Sequence, residues 1–169
     1  LSNAEETFQV LRAHMLATDK RELYSLHKNI MKEDLRLNIE KGFALTEEQI
    51  SNAQLERGKI VKNTNVFFEK YDLFISPSSM VAPFNIKEPW PKKVENTSFD
   101  NYVSWLMTAA SISLTGCPSL AVPCVKTDNN LPIGIQIVAR RRNESLLISF
   151  GHLFQKHTKN NNITPIEPG

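Results

Sequence analysis

The chain reads as an α/β protein. A mainly helical prelude covers residues 1–71, a strand–helix–strand–strand–helix run covers 72–157 around about three strands of a mixed sheet, and a polar tail covers 158–169. Apolar residues recur at helical spacing through the prelude. The stretch Ile133–Ala139 alternates with period two, as a strand does. Between these two regimes, Pro77, Pro83, Pro89 and Pro91 punctuate a long segment that neither helix nor ladder accommodates.

Ser2 and Glu5 have capping-box spacing and open a helix whose face carries Ala4, Phe8, Leu11 and Met15. A second helix is expected over about Arg21 to Ile30, with Leu23, Leu26 and Ile30 as its stripe. A third spans about Lys32 to Lys41 and stops at Gly42, a residue suited to a left-handed cap. Thr46 and Gln49 form another capping-box pair. The helix they open continues to about Tyr71 through Ile50, Ala53, Leu55, Ile60, Val61, Val66 and Phe67, with Gly58 its weak point at about 1 kcal/mol relative to alanine.

Leu73–Ser76 is short, apolar and closed by Pro77, the pattern of a buried strand. An irregular loop follows to Thr97, and Ser98 is placed to cap a helix running to about Leu114. Ser119–Cys124 and Ile133–Ala139 are the other two strands, joined by a turn at Asp128–Asn130. Asn143 caps a last helix through about His157, with Leu146, Leu147, Phe150 and Phe154 on its buried side. Strands apolar on both faces sit inside a covered sheet, and three short strands make a poor sheet alone. The pattern is that of one end of a larger α/β fold.

Composition excludes several classes of function. Hydrophobic residues are 41% and charged residues 22%, which is globular rather than disordered. Twenty basic against eighteen acidic residues give a net charge of +2, too mild to make nucleic acid or an anionic membrane the main partner. Two cysteines, Cys117 and Cys124, cannot build a disulfide scaffold or an all-cysteine zinc site. No apolar run has the length of a membrane span. The opening Leu-Ser-Asn-Ala-Glu-Glu lacks the basic start and apolar core of a secretory signal. The cytoplasm is the expected compartment.

No catalytic constellation emerges from the residues themselves. There is no Gly-x-Ser-x-Gly elbow, no phosphate loop and no His-Glu-x-x-His. His14, His27, His152 and His157 are scattered and read as surface residues. Cys117 and Cys124 have no base near them in sequence. Arg140-Arg141-Arg142 reads as a solvated basic turn, and Trp105 as core. No metal or cofactor is expected.

One ordered set of segments does resemble a family. It begins at Tyr71-Asp72-Leu73-Phe74-Ile75-Ser76-Pro77-Ser78 and passes through Trp105 to Leu114-Thr115-Gly116-Cys117-Pro118-Ser119-Leu120-Ala121-Val122-Pro123. It closes with Leu131-Pro132-Ile133-Gly134-Ile135-Gln136-Ile137-Val138-Ala139 and Asn143-Glu144-Ser145-Leu146-Leu147. This resembles the carboxy-terminal part of the amidase signature enzymes. The motif residues Asp72, Pro77, Gly116, Pro118, Pro123, Gly134 and Gln136 have physical reasons to be there. Gly116 permits a tight turn, and Pro118 and Pro123 bracket a short strand. Gly134 marks close approach of another backbone, and Gln136 on an apolar strand must find hydrogen-bond partners. The chain departs from the family pattern at Ser113, Val125 and Asn130, the last a tolerable left-handed substitute for glycine.

The resemblance implies hydrolysis of a carboxamide to acid and amine by a Ser-Ser-Lys triad. A serine attacks the carbonyl, and backbone N–H groups hold the oxyanion. No Gly-Ser-Ser-Gly segment occurs here, so the resemblance carries over no catalytic residue. It implies a chain that supplies sheet and pocket wall to a small-molecule amide site and is inactive alone. The missing amino-terminal part is its partner, and self-association follows from exposed strand edges. Candidate wall residues, which read equally as core, are Trp105, Thr108, Ile112 and Cys117. The alternatives are a non-catalytic binding or assembly module built on the same fold, or part of an amidotransferase subunit.

Overall fold

The computed structural model describes residues 3–158. Four helices come first: α1 (Ala4–Asp19), α2 (Arg21–His27), α3 (Glu33–Phe43) and α4 (Glu47–Phe67). Then follow β1 (Leu73–Pro77), a two-residue ladder of β2 (Lys93–Val94) and β3 (Thr97–Ser98), and the helices α5 (Tyr102–Trp105) and α6 (Met107–Thr115). The strands β4 (Ser119–Lys126) and β5 (Pro132–Ala139) and the helix α7 (Glu144–Thr158) close the described part. The expected tail and Ser2 lie outside the described residues. The α/β class stands.

The main sheet has the order β1-β5-β4. Leu73 faces Ala139 and Pro77 faces Ile135 on one side of β5, while Leu120 faces Ile137 and Val122 faces Ile135 on the other. Both pairings are antiparallel, so among the described residues the sheet is antiparallel rather than the mixed one expected. The tight Thr127–Leu131 turn permits only that geometry between β4 and β5. β5 is central, and Ile137 and Ala139 are fully buried. Its odd-numbered residues join Val122, Leu147 and the half-buried Phe150 and Phe154 of α7. Its even-numbered face carries Val138, packed with Phe68 and Ile112.

Several helix boundaries differ from the sequence reading, each for a physical reason. Asn3, not Ser2, is the first cap of α1, and its side chain makes no cap bond. Glu5 accepts hydrogen bonds from Gln9 and from Ser104 in α5 instead. On α1 the buried positions are Ala4, Thr7, Ala13 and Ala17, while Met15 is half exposed. Small residues face inward because α3 crosses there.

Gly42 is a crossing point rather than a helix stop. It lies buried inside α3, and a Cβ there would fall inside contact distance of the Ala13 carbonyl and 2.6 Å from the Ala17 Cβ. The expected stripe of α2 is exposed, with Ile30 83% accessible. α2 ends at His27, so Ile30 cannot share its face. It docks instead through Tyr24, which donates to Glu40 at 2.9 Å and meets the Phe43 ring edge-on. That bond, with Arg36 adding to it, holds the Glu40 carboxyl below its ordinary range; the same bond raises the Tyr24 phenol, against the opposing pull of Arg36.

The Thr46–Gln49 capping box forms as read. Within α4, Gly58 has open space where a Cβ would go. Gly58→Ala is expected to stabilise the chain by about 1 kcal/mol, seen as a higher midpoint in urea unfolding at unchanged slope.

Ser98 belongs to β3 and caps nothing. Asn101 does the capping, its Oδ1 accepting from the backbone N–H groups of Val103 and Ser104 at 2.9 and 3.1 Å. The single helix expected over 98–114 is therefore two, separated at Leu106. Pro123 lies within β4 rather than at its end, because a bulge at Cys124 lets the strand resume at Val125 and Lys126.

Candidate functional site

The chemistry-bearing residues gather on the even-numbered face of β5. The strand is apolar enough to be buried, yet Gln136 sits in it at 6% exposure. Its amide Nε2 donates to the Thr108 carbonyl at 2.8 Å and makes a long approach of 3.5 Å to the Pro77 carbonyl. One side chain thereby ties the central strand to α6. Gly134, two residues earlier, lies opposite Pro123, and a Cβ there would meet the Ser78 hydroxyl at 3.0 Å and the Val122 carbonyl at 3.2 Å. Ser78 N–H donates to the Gly134 carbonyl, extending the ladder beyond Pro77.

α6 ends at Gly116, whose φ of 67° is the left-handed cap a side chain disfavours. The Thr115 hydroxyl then accepts from the Cys117 N–H at 3.1 Å. Pro118 accepts from the Ala139 N–H and so begins the β4–β5 ladder. Arg57 donates to the Leu114 carbonyl at 3.3 Å, and the Arg141 guanidinium lies over Gly116. Both cations complement the negative carboxy end of α6. Asp72 is exposed at the bend before β1. Asn130 has φ 61°, the left-handed turn conformation, whereas Val125 pairs with Ile133 as ordinary strand.

The four candidate wall residues fall into two groups. Ile112 and Cys117 pack with Phe68 and Val138. Ile112 also lines a cavity of about 210 Å³ with Phe67, Phe68, Phe74, Thr115 and Val138. Thr108 lies beside Gln136 through its carbonyl, and Trp105, one turn earlier, meets Phe84 edge-on at 5.7 Å. Trp105, Thr108 and Cys117 do not line the cavity. The sequence reading missed Phe67, Phe68 and Phe74 as lining residues. The aromatic run from Phe67 through Tyr71 to Phe74 was their signal, since it brackets the junction of α4 and β1.

The Ser76 Oγ and the Trp90 and Trp105 indole nitrogens are buried without hydrogen-bond partners. Among the described residues no serine hydroxyl is hydrogen-bonded to a lysine or histidine, and no three His, Cys, Asp or Glu side chains are placed to hold a metal. Such a site can enclose an apolar group and offer hydrogen bonds. It contains no nucleophile–base pair.

The amidase family profile matches residues 3–148, nearly all of this architecture. The chain belongs to the amidase family. One component of the glutamyl-tRNA(Gln) amidotransferase of Listeria welshimeri is 35% identical over 106 residues, and its counterpart in Psychrobacter sp. is 28% identical over 110. These matches take in 63% and 64% of this amidase-family chain but only 20% of each relative. Among solved structures, an amidase superposes with a TM-score of 0.82 at 19% identity, covering 93% of this chain and 36% of that one. A protein from a vestigial complex, linked to the evolutionary origins of an s-triazine catabolic enzyme, superposes at 0.81 and 20% identity, covering 98% and 35%. The chain thus spans about a fifth of the curated relatives and about a third of the solved ones. No helix among the described residues is long and apolar enough to cross a membrane.

Proposed function

We propose that this chain is the carboxy-terminal part of an amidase that hydrolyses carboxamide C–N bonds. Its role is to complete the sheet and to contribute wall to the acyl pocket, while an amino-terminal part supplies the Ser-Ser-Lys triad. The observation that carries this is the amidase match along residues 3–148 in a chain without a Gly/Ser-rich nucleophile segment. Trp105, Thr108, Ile112 and Cys117 are the proposed wall, with Gln136 fixing α6 against β5. Action in the cytoplasm belongs to the same reading and suits two cysteines that form no disulfide.

The likeness to an amidotransferase component favours a second reading, in which the parent protein is itself part of an amidotransferase. The two differ in whether the released ammonia leaves or is passed on.

Acyl transfer requires nucleophile, base and oxyanion donors within hydrogen-bond reach of one another. The purified chain is therefore expected to hydrolyse neither aryl nor aliphatic amides above background. Turnover sensitive to a serine-directed inhibitor, from material of intact mass 19.2 kDa, would overturn the division of labour. The longer reading frame carrying this chain is expected to show that turnover. Glutamine-dependent activity confined to a multisubunit complex would select the amidotransferase reading.

A further inference from the structure

The cavity of about 210 Å³ lies between the carboxy end of α4, the carboxy half of α6 and the β1–β5 ladder. It is set apart from most of the proposed acyl wall. Phe74 faces Val138 in the ladder, and Ser76 faces Gln136. Val138 therefore brings the cavity two residues along β5 from Gln136, a step of about 7 Å. Ile112 and Thr115 reach it from beyond Thr108 on α6, and of the four wall residues only Ile112 does so.

The lining is graded by depth. Phe68, Ile112, Thr115 and Val138 are buried and form the floor, whereas Phe67 and Phe74 are exposed and stand at the mouth. Phe67 is edge-on to both Phe68 and Phe74, with ring centroids 5.2 and 6.2 Å apart. Such a lining presents ring edges and faces at the separations that a further ring adopts. A cavity of about 150 Å³ lined by Leu, Ile and Phe takes benzene. This one has room for a single ring and one short substituent.

The polar groups restrict the occupant further. Thr64 Oγ1 donates to the Ile60 carbonyl at 2.8 Å. Thr115 Oγ1 donates to the Ile112 carbonyl at 2.6 Å and accepts from the Cys117 N–H. Both hydroxyl hydrogens are thus engaged within the fold. An ordered water needs about two to four polar partners, and the floor supplies no free donor. The remaining polar residue of the lining, Asn63, is exposed, and its side-chain amide has no hydrogen-bond partner among the described residues. No ionisable side chain lines the cavity.

We propose that this cavity is a binding site for an uncharged single-ring aromatic compound with one short hydrogen-bonding substituent. The ring lies against Phe68, Ile112 and Val138, and the substituent meets the Asn63 amide at the mouth. The absence of charge in the lining disfavours an ionic ligand. The free amide at the mouth favours a molecule with a polar end over the purely apolar side chain of another segment. The inference goes beyond the amidase reading and does not depend on it, since it uses no catalytic group.

Titration of the chain with benzyl alcohol, toluene and benzoate, followed by NMR at the methyl groups of Ile112 and Val138, tests it. Benzyl alcohol is expected to shift both saturably, half-complete at about millimolar concentration or below. Toluene is expected to bind more weakly, and benzoate not to bind. Asn63→Ala is expected to weaken benzyl alcohol by about three- to tenfold and to leave toluene unchanged. Thr64→Phe puts a ring of the chain's own into the cavity and is expected to abolish binding of both, with the helical circular dichroism of the parent retained. No saturable shift, or benzoate binding as well as benzyl alcohol, would overturn the proposal. So would shifts centred on Thr108 with Ile112 and Val138 unmoved, which would place the ligand at the acyl wall instead. Binding that is lost in the longer reading frame would make a segment of the amino-terminal part the occupant, and a dimer of this chain that excludes both compounds would make it a second copy. Either result would overturn the proposal. Amide turnover tests the amidase reading separately, so failure of one leaves the other standing.

Discussion

Gly42→Ala is expected to lower the stability of the chain by about 3 kcal/mol or more. In an open helix this substitution stabilises, by about 1 kcal/mol. Here the added methyl would fall against the Ala13 carbonyl, with the Ala13 carbonyl carbon and the Ala17 Cβ at 2.7 and 2.6 Å. Backbone cannot give way as a flexible side chain can, so α1 and α3 must move apart. Their separation would reach Arg12, which donates to Asn38 at 2.9 Å across the same crossing. Gly58→Ala makes the same chemical change in a helix of the same chain and is expected to have the opposite sign. Urea unfolding of the two variants beside the parent decides the matter. A Gly42→Ala midpoint at or above that of the parent would mean the helices do not cross where described.

Gln136→Glu is expected to cost about 3–5 kcal/mol at neutral pH. The side chain keeps its size but trades the donor that reaches Thr108 for an acceptor that faces a carbonyl, in a site 6% exposed. Burial and loss of the donor both penalise the charged form, so the folded-state pKa of the new carboxyl lies above its unfolded value. A group of that kind binds more protons in the folded state, so stability falls as pH rises through the unfolded and then the folded pKa. The variant is therefore expected to approach the parent on the acid side of the unfolded glutamate pKa. Gln136→Leu, with no charge to bury, is expected to lose only about 1 kcal/mol and to show no added pH dependence. Thermal melts of the three proteins between pH 4 and pH 8, taken as roughly the span of carboxyl titration, provide the comparison. A flat Gln136→Glu profile would mean that the side chain reaches solvent.

The strands were the most legible part of the chain because their signal is local. Ile133–Ala139 alternates between two faces, each of which the fold buries, and Leu73–Ser76 is apolar and stopped by proline. The Thr46–Gln49 cap was legible for the same reason, as both partners lie within one helical turn. Gly42 was misread because its reason for being glycine lies nearly thirty residues away on α1, where no local pattern records it. The stripe of Leu23, Leu26 and Ile30 failed because apolar spacing states a capacity for burial, and among the described residues all three side chains stay exposed. At the site, Gln136 was legible as a buried amide in need of partners. The Thr108 carbonyl that satisfies it was not, since any carbonyl would have served. The cavity lined by Phe67, Phe68 and Phe74 depends on how α4 meets β1, a tertiary fact.

The position of β5 between strands of very different sequence separation also bears on how the chain is made. β4 reaches β5 through a tight turn, while β1 precedes β5 by the whole span from Pro77 to Ile135. A ribosome adding about 5–20 residues per second needs roughly 3–12 s to make that span. During that interval Leu73, Phe74 and Ile75 have left synthesis without the strand they pair with. When β5 emerges it meets β4 already beside it, and the older strand must then find the far side of a hairpin. Among the strands of the main sheet, the one that waits longest in the nascent chain is thus also one of its two edges.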